Sequence, residues 1–344
     1  MELLAPAGNM ECLKMAVKSG ADAVYFAGKL FGARSFADNF SDEEIYEAAE
    51  YCRLRGVKTY ITVNTMMVDR EFSDIDRFVE VLANAGVDGV IVQDLGVVER
   101  IHNICPDMPV HASTQMTVHN LAGVKRLEEM GISRVVLSRE LSFEDISYIA
   151  QNCNAELEVF VHGAMCMSYS GQCLMSSMLG GRSGNRGKCA QPCRLSYHSG
   201  DGKDKFYLSL KDMSLAGHLE KLQSIGVASL KIEGRMKGEE YISSVVGTYR
   251  KCIDEHRMPT VEENNRMNRV FFRGGLTDGY FAEKIGPDMF AFDKPDNPYE
   301  KQGGEDKFIP DERITKVKCI AKFSEGETPE ITLSAMGIEV TVHG

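Results

Sequence analysis

No stretch of this sequence approaches the roughly twenty consecutive apolar residues of a membrane span. Nor does a basic segment and a long apolar core open it, so neither a transmembrane helix nor a secretory leader is expected. Low-complexity tracts are missing too, which argues against a disordered or fibrous class. The two commonest hydrolase signatures, an H-E-x-x-H helix and a G-x-S-x-G elbow, are absent. No glycine-rich nucleotide fingerprint follows the first apolar run. Basic residues are short, 39 against 50 acidic ones, and the net charge of −11 argues against a broad nucleic-acid-coating face. What remains is the composition of a globular cytoplasmic protein whose 344 residues fit one large domain and a small appendage.

One absence is local. From Val159 to Gly200 there is no Asp or Glu, while Arg182, Arg186, Lys188 and Arg194 are present. A basic patch on an acidic body suits an anionic ligand bound at one place. The same stretch carries four of the ten cysteines, Cys166, Cys173, Cys189 and Cys193, spaced C-x6-C-x15-C-x3-C. In a reducing compartment clustered thiols point to metal or catalysis rather than to disulfides. If the segments are helical, Cys166 with Cys173 and Cys189 with Cys193 would each share a face. Structural zinc, an iron–sulfur cluster and a thiol nucleophile all remain open, although no C-x2-C zinc knuckle occurs. Cys12, Cys52, Cys105, Cys153, Cys252 and Cys319 lie apart from this set and read as structural thiols.

β-Branched runs alternate with amphipathic stretches over the first three-quarters of the chain. Strands are expected at Glu2–Leu4, Ala23–Phe26, Lys58–Val63, Gly89–Gln93, Val110–Ala112, Arg134–Leu137, Leu157–Val161 and Ala228–Ile232. Helical patterns such as Met10–Ser19, Asp42–Arg55, Asp74–Ala85, Val118–Met130 and Glu239–Glu255 lie between or after them, many followed by glycine. Such alternation implies parallel pairing, and eight units imply an α/β fold of the (β/α)8 TIM-barrel type over a doubly wound sheet. The barrel should span residues 1–258 with a cysteine-rich insertion at 163–200, followed by a connector at 259–305. A small β-module at 306–344, with strands near Ile314–Ala321, Glu330–Ser334 and Ile338–Val342, breaks off as an incomplete sheet, which reads as a truncated piece of a longer protein.

Active sites of such barrels sit at the C-terminal strand ends. Those ends carry Asn64, Asp94, His111, Gln115, Arg139, Glu140, His162, Glu233 and Arg235, and the cysteine segment would arch over the same mouth. Glu233 and Arg235 are candidates for acid–base work and anion binding, or for an ion pair closing the barrel. His162 is a candidate for proton transfer or for a hydrogen bond to a sulfur, with a structural role as its alternative.

The run Glu158-Val-Phe-Val-His162-Gly-Ala-Met-Cys166-Met-Ser-Tyr-Ser-Gly-Gln-Cys173 resembles the signature of peptidase family U32. Leu208-Ser-Leu-Lys-Asp212, Ser229-Leu-Lys-Ile-Glu-Gly-Arg235 and the opening Glu2-Leu-Leu-Ala-Pro-Ala-Gly-Asn9 resemble it as well. The resemblance implies a [4Fe–4S] cluster on Cys166, Cys173, Cys189 and Cys193, with zinc as a substitute or alternative. It also implies oxygen insertion into aromatic or pyrimidine rings, with branches acting on transfer RNA uridine, on ribosomal RNA cytidine or in ubiquinone synthesis. Prephenate is implied as a small anionic co-substrate. The run Gly274-Gly-Leu-Thr-Asp-Gly-Tyr280 and the β-module look most like the ribosomal RNA branch. In an RNA hydroxylase, Arg182, Arg186 and Arg194 would grip phosphates or the carboxylates of a small acid, and Tyr169 would stack on a flipped pyrimidine. A U32-type peptidase using a Cys166–His162 dyad and a non-catalytic RNA-binding adaptor are the alternatives.

Overall fold

The computed structural model describes residues 1–34, 37–200, 202–293, 317–324, 328–335 and 338–343. They divide into two compact units, one before residue 311 and one from there on. The first is built on eight parallel strands: β1 (Glu2–Pro6), β2 (Ala23–Phe26), β3 (Lys58–Val63), β4 (Gly89–Val92), β5 (Val110–Ala112), β6 (Arg134–Val136), β7 (Glu156–Gly163) and β8 (Ser229–Ile232). Each pairs with the next in order except that β8 joins β7 to β1, which closes the barrel. The TIM-type barrel expected from the strand–helix alternation is therefore the observed fold.

Helices α1 (Met10–Lys18), α2 (Asp42–Arg53), α3 (Phe72–Ala85), α4 (Leu95–Ile104), α5 (Leu121–Glu129) and α6 (Phe143–Asn152) follow β1 to β6 in turn. Their ends are written in the sequence. Ser41 and Ser142 form capping boxes with Glu44 and Asp145, and Asp94 accepts the N–H groups of Gly96 and Val97 at the start of α4. In α3, Ile75, Phe78, Val79 and Leu82 recur at helical spacing and are buried against the strands. Several expected boundaries shift by one or two residues, and the Val118–Met130 stretch becomes helical only at Leu121, because Thr117 is left-handed (φ 57°) and Asn120 supplies the cap.

Alternate strand residues face the helices or the barrel interior, where a small apolar cluster of Leu4, Ala23, Tyr25, Tyr60 and Ile91 lies with buried charges. Arg134 Nη1 reaches Glu2 Oε1 at 2.6 Å and Glu158 Oε2 at 3.3 Å, and Lys231 Nζ donates to Glu158 Oε1 at 2.6 Å. The Lys231 ammonium also lies 4.4 Å from the centroid of the Tyr25 ring. Burial raises the Glu158 carboxyl, but Lys231 and Arg134 outweigh it and hold the group below its usual range.

Beyond β7 the loop carries α7 (Met175–Gly180), then α8 (Leu219–Ser224) leads into β8, and α9 (Glu239–Asp254) and α10 (Val261–Val270) follow. A short strand at Asp212–Ser214 pairs antiparallel with the end of β7 and parallel with Leu276–Thr277. The second unit is an antiparallel sheet of β9 (Lys318–Lys322), β10 (Glu330–Ala335) and β11 (Ile338–His343). Residues 294–316, which hold the end of the expected connector and the start of the expected module, lie outside the described residues.

Candidate metal centre at the barrel mouth

Gly163 ends β7 with φ 109°, where a Cβ would stand 2.7 Å from the Glu233 carbonyl oxygen, so the chain can turn out of the barrel only through glycine. The cysteine loop that follows is not helical at its thiols. Cys166 and Cys173 flank a single 3-10 turn at Tyr169–Gly171, and left-handed Gln191 (φ 55°) separates Cys189 from the 3-10 turn Pro192–Arg194. The helical-face geometry expected of the two cysteine pairs is absent; tight turns carry the thiols instead.

A Cβ at Gly184 would stand 3.5 Å from the Cys173 carbonyl oxygen and 3.8 Å from Cys189 Cβ, so these two turns pack on one another. Burial raises the Cys193 thiol and Arg194 opposes it, with Cys166, Cys189 and Cys173 near enough to add to the rise. Cys173 Sγ accepts the Met175 N–H at 3.4 Å, and Cys189 Sγ accepts the Gln191 N–H at 3.3 Å. Among the described residues no three His, Cys, Asp or Glu side chains converge closely enough to hold one metal ion as they stand. A tetrahedral zinc with bonds of about 2.3 Å needs that convergence, whereas a [4Fe–4S] cluster takes one thiolate per corner. Four soft thiolates, two already receiving N–H groups, fit the cluster in donor chemistry.

Beside the thiols, at the end of β8, Glu233 is clamped by arginines from two other loops. Arg139 Nη2 donates to its Oε2 at 2.9 Å and Arg34 Nη2 to its Oε1 at 3.3 Å. Burial pushes the carboxyl up, but Arg34, Arg139 and Arg235 outweigh this and hold it at about 2. Glu233 is thus a fixed anion near neutral pH, with its two oxygens engaged. Arg235 is buried, donating to Thr62 Oγ1 at 2.9 Å. Asn64 accepts the Ala33 N–H at 3.0 Å, and Asp94 accepts that of Met67 at 3.0 Å, so both hold loops of the rim. Glu140 accepts the Ser170 N–H at 3.0 Å, and the Gln115 carbonyl accepts from Gln172 at 2.6 Å, which ties the cysteine loop to β5 and β6. His111 lies within the barrel, edge-on to Tyr60 with ring centroids 4.7 Å apart.

The remaining candidates divide. Tyr169 is 60% exposed on the loop. Arg182 is also exposed and donates to the Lys188 carbonyl at 2.9 Å. Arg186 grips both carboxylate oxygens of Glu71 and the Met66 carbonyl, and Arg194 binds the carbonyls of Met165 and Leu210 and the Ser209 hydroxyl. These two guanidinium groups stitch the loop to the barrel. His162 is turned away from the thiols: its Nδ1 lies 3.4 Å from the Tyr249 hydroxyl, and its ring packs between Tyr241 and Tyr249 of α9. Burial pushes its pKa down to about 3.

Sequence reasoning passed over Arg34, Lys237 and Arg273. Arg273 Nη1 donates to buried Asp212 at 3.3 Å. Lys237, whose ammonium lies over the Phe271 ring, is pushed down to about 7 by burial and by Arg273. Asp212 stood in one of the family-like motifs; nothing local marks the other three, because their partners lie far along the chain.

Residues 8–289 match the model of peptidase family U32. The chain belongs to that family. Among curated relatives, the tRNA hydroxylation protein P1 of Bacillus subtilis is 41% identical over 267 residues, covering 74% of this chain and 63% of the relative. The 23S rRNA 5-hydroxycytidine C2501 synthase of Escherichia coli is 38% identical over 312 residues, covering 86% of this chain and 47% of the synthase. A protein named collagenase from Porphyromonas gingivalis is 34% identical, covering 83% of this chain and 74% of its own length. The chain thus spans between about half and two thirds of the first two relatives, 47% and 63%.

Proposed function

We propose that this U32 protein takes part in hydroxylating a pyrimidine base in RNA, a ribosomal RNA cytidine by preference and a transfer RNA uridine next. The observation that carries the proposal is a single loop after β7 that bears Cys166, Cys173, Cys189 and Cys193 and is tied across the mouth to Glu140 and Gln115, on a rim set with the clamped Glu233. Relatives named for RNA hydroxylation at 38% and 41% identity support the reaction class. The four thiolates would hold a [4Fe–4S] cluster, which would supply one-electron chemistry at the mouth. Around it, Arg194 and Arg186 keep the loop seated, and Glu233 with its arginines keeps the rim closed and charged. A small acid such as prephenate would meet cationic rather than acidic groups along the loop, which has no Asp or Glu from Val159 to Gly200. A base must leave its stack to enter such a mouth, so unpaired or flipped targets are expected.

A peptidase reading draws on the collagenase-named relative. Against it, His162 contacts Tyr249 rather than Cys166, and among the described residues no thiol is hydrogen-bonded to a histidine. The adaptor reading differs from the enzyme in one observable, RNA bound without being altered.

Mass spectrometry of nucleosides from ribosomal and transfer RNA of a strain lacking the protein tests the proposal. A hydroxylated pyrimidine should vanish, return with the unaltered gene, and not return with Cys189→Ser. Iron and acid-labile sulfide, assayed after anaerobic purification, should fall in the same variant. An unchanged nucleoside profile would overturn the hydroxylation reading, and one zinc with no sulfide would overturn the cluster.

A further inference from the structure

Two aromatic side chains stand exposed at the mouth on different loops, and each is mounted on strained backbone. Tyr169 comes from the cysteine loop after β7, and His119 from the loop after β5; their ring centroids are 6.2 Å apart at 49°. Ser170, next to Tyr169, has φ 41°, and Thr117, two residues before His119, has φ 57°, the left-handed region that residues with a Cβ seldom adopt. Such strain persists only where surrounding contacts enforce it, and it clusters at functional sites.

Those contacts are present. Ser170 is held by Glu140 through its N–H and by Ser138 through its hydroxyl at 2.9 Å. His119 Nδ1 lies 2.8 Å from the Thr117 carbonyl, an oxygen that can only accept, so Nδ1 carries the proton and the ring is pinned. The Gln172–Gln115 bond then joins the two loops directly. A free surface ring needs none of this. Fixing two exposed rings at stacking range leaves flat apolar faces in water, a cost that a planar ligand would offset.

We infer that Tyr169 and His119 form a pre-organised platform on which an unpaired RNA base stacks at the mouth, an inference that rests on the RNA substrate proposed above. Stacking on such rings tolerates any base, so the platform would grip a single strand near its target rather than read sequence.

The chain has no tryptophan, so Tyr169→Trp introduces a lone emitter at the platform. Titrating that variant of the full chain with a pyrimidine-rich single-stranded RNA oligonucleotide should quench its emission, and the same sequence as a duplex should not. Tyr169→Ala and His119→Ala should each weaken binding of the single strand on the order of 10-fold. Tyr169→Phe should bind as the unaltered chain does, which separates loss of the ring from loop collapse. Unaltered binding by both alanine variants, with emission unmoved, would overturn the platform while leaving RNA as substrate. No binding of the oligonucleotide by the unaltered chain would overturn the RNA reading and the platform together.

Discussion

At the scale of single residues, burial decides protonation. His162 and His111 are each pushed down to about 3, by burial alone in the first and by burial together with Arg134 in the second. A histidine at about 6.5 in the unfolded chain then takes up a proton that the folded state refuses, so stability is lost as pH falls below about 6.5. Between pH 7 and 5 the loss should be about 2 kcal/mol for each histidine. Urea unfolding at the two pH values measures it, and His162→Gln should remove about half of the fall. Glu233 has the opposite origin with the same direction in pH. Its carboxyl at about 2 lies below the ordinary 4.5, so its contribution is complete above about 4.5 and fades as pH falls towards 2. Removing its charge at neutral pH strands the arginines around it. Glu233→Gln should cost about 3 kcal/mol in denaturant unfolding. A cost within experimental error would mean that those arginines find other partners.

At the scale of elements, the cysteine loop is a seated lid whose seat is visible in one glycine. Gly187 has φ 73°, and a Cβ there would stand 2.8 Å from the Ala33 carbonyl carbon and 2.9 Å from the Arg34 nitrogen, both backbone. Gly187→Ala should lift the loop off the segment that carries Arg34. We expect faster proteolysis between residues 166 and 193, a stability loss of about 2 kcal/mol and, for the proposed cluster, lower iron per chain. Unchanged cleavage would show that the segment yields instead.

The strands and most helices were legible because β-branched runs and capping residues announce themselves within a few positions, as Ser41 and Glu44 do for α2. The four thiols were legible as a set, but their backbone was not. Left-handed Ser170 and Gln191 carry no composition signal, so helical spacing was the wrong ruler for the loop. Nor could sequence separate Arg182 from Arg186 and Arg194. The last two are committed to Glu71, 115 residues away, and to Leu210, 16 residues on, and only the fold makes those pairs.

At the scale of the molecule, an acidic body with a small basic loop should hold the proposed RNA substrate with a shallow dependence on salt. Each phosphate neutralised on a single strand contributes about 0.7 to the slope of log K against log salt. Arg182→Ala should reduce that slope by about one such increment. Arg186→Ala should lower stability instead and leave the slope alone, because its guanidinium is spent on Glu71. Affinity measured at several salt concentrations separates the two, and a slope that falls with Arg186→Ala would reverse their assignment.

The charges inside the barrel bear on how it closes. Glu2, Arg134, Glu158 and Lys231 come from β1, β6, β7 and β8, so the network joins the first strand to the last three. Within β1 to β4, Glu2 keeps the Lys58 ammonium at 3.8 Å and the Tyr60 hydroxyl at 2.9 Å. Within β5 to β8, Arg134 keeps Glu156 and Glu158, and Lys231 keeps Glu158. Closure adds the Arg134–Glu2 bond, a latch between the first strand and the sixth rather than the rescue of a stranded charge.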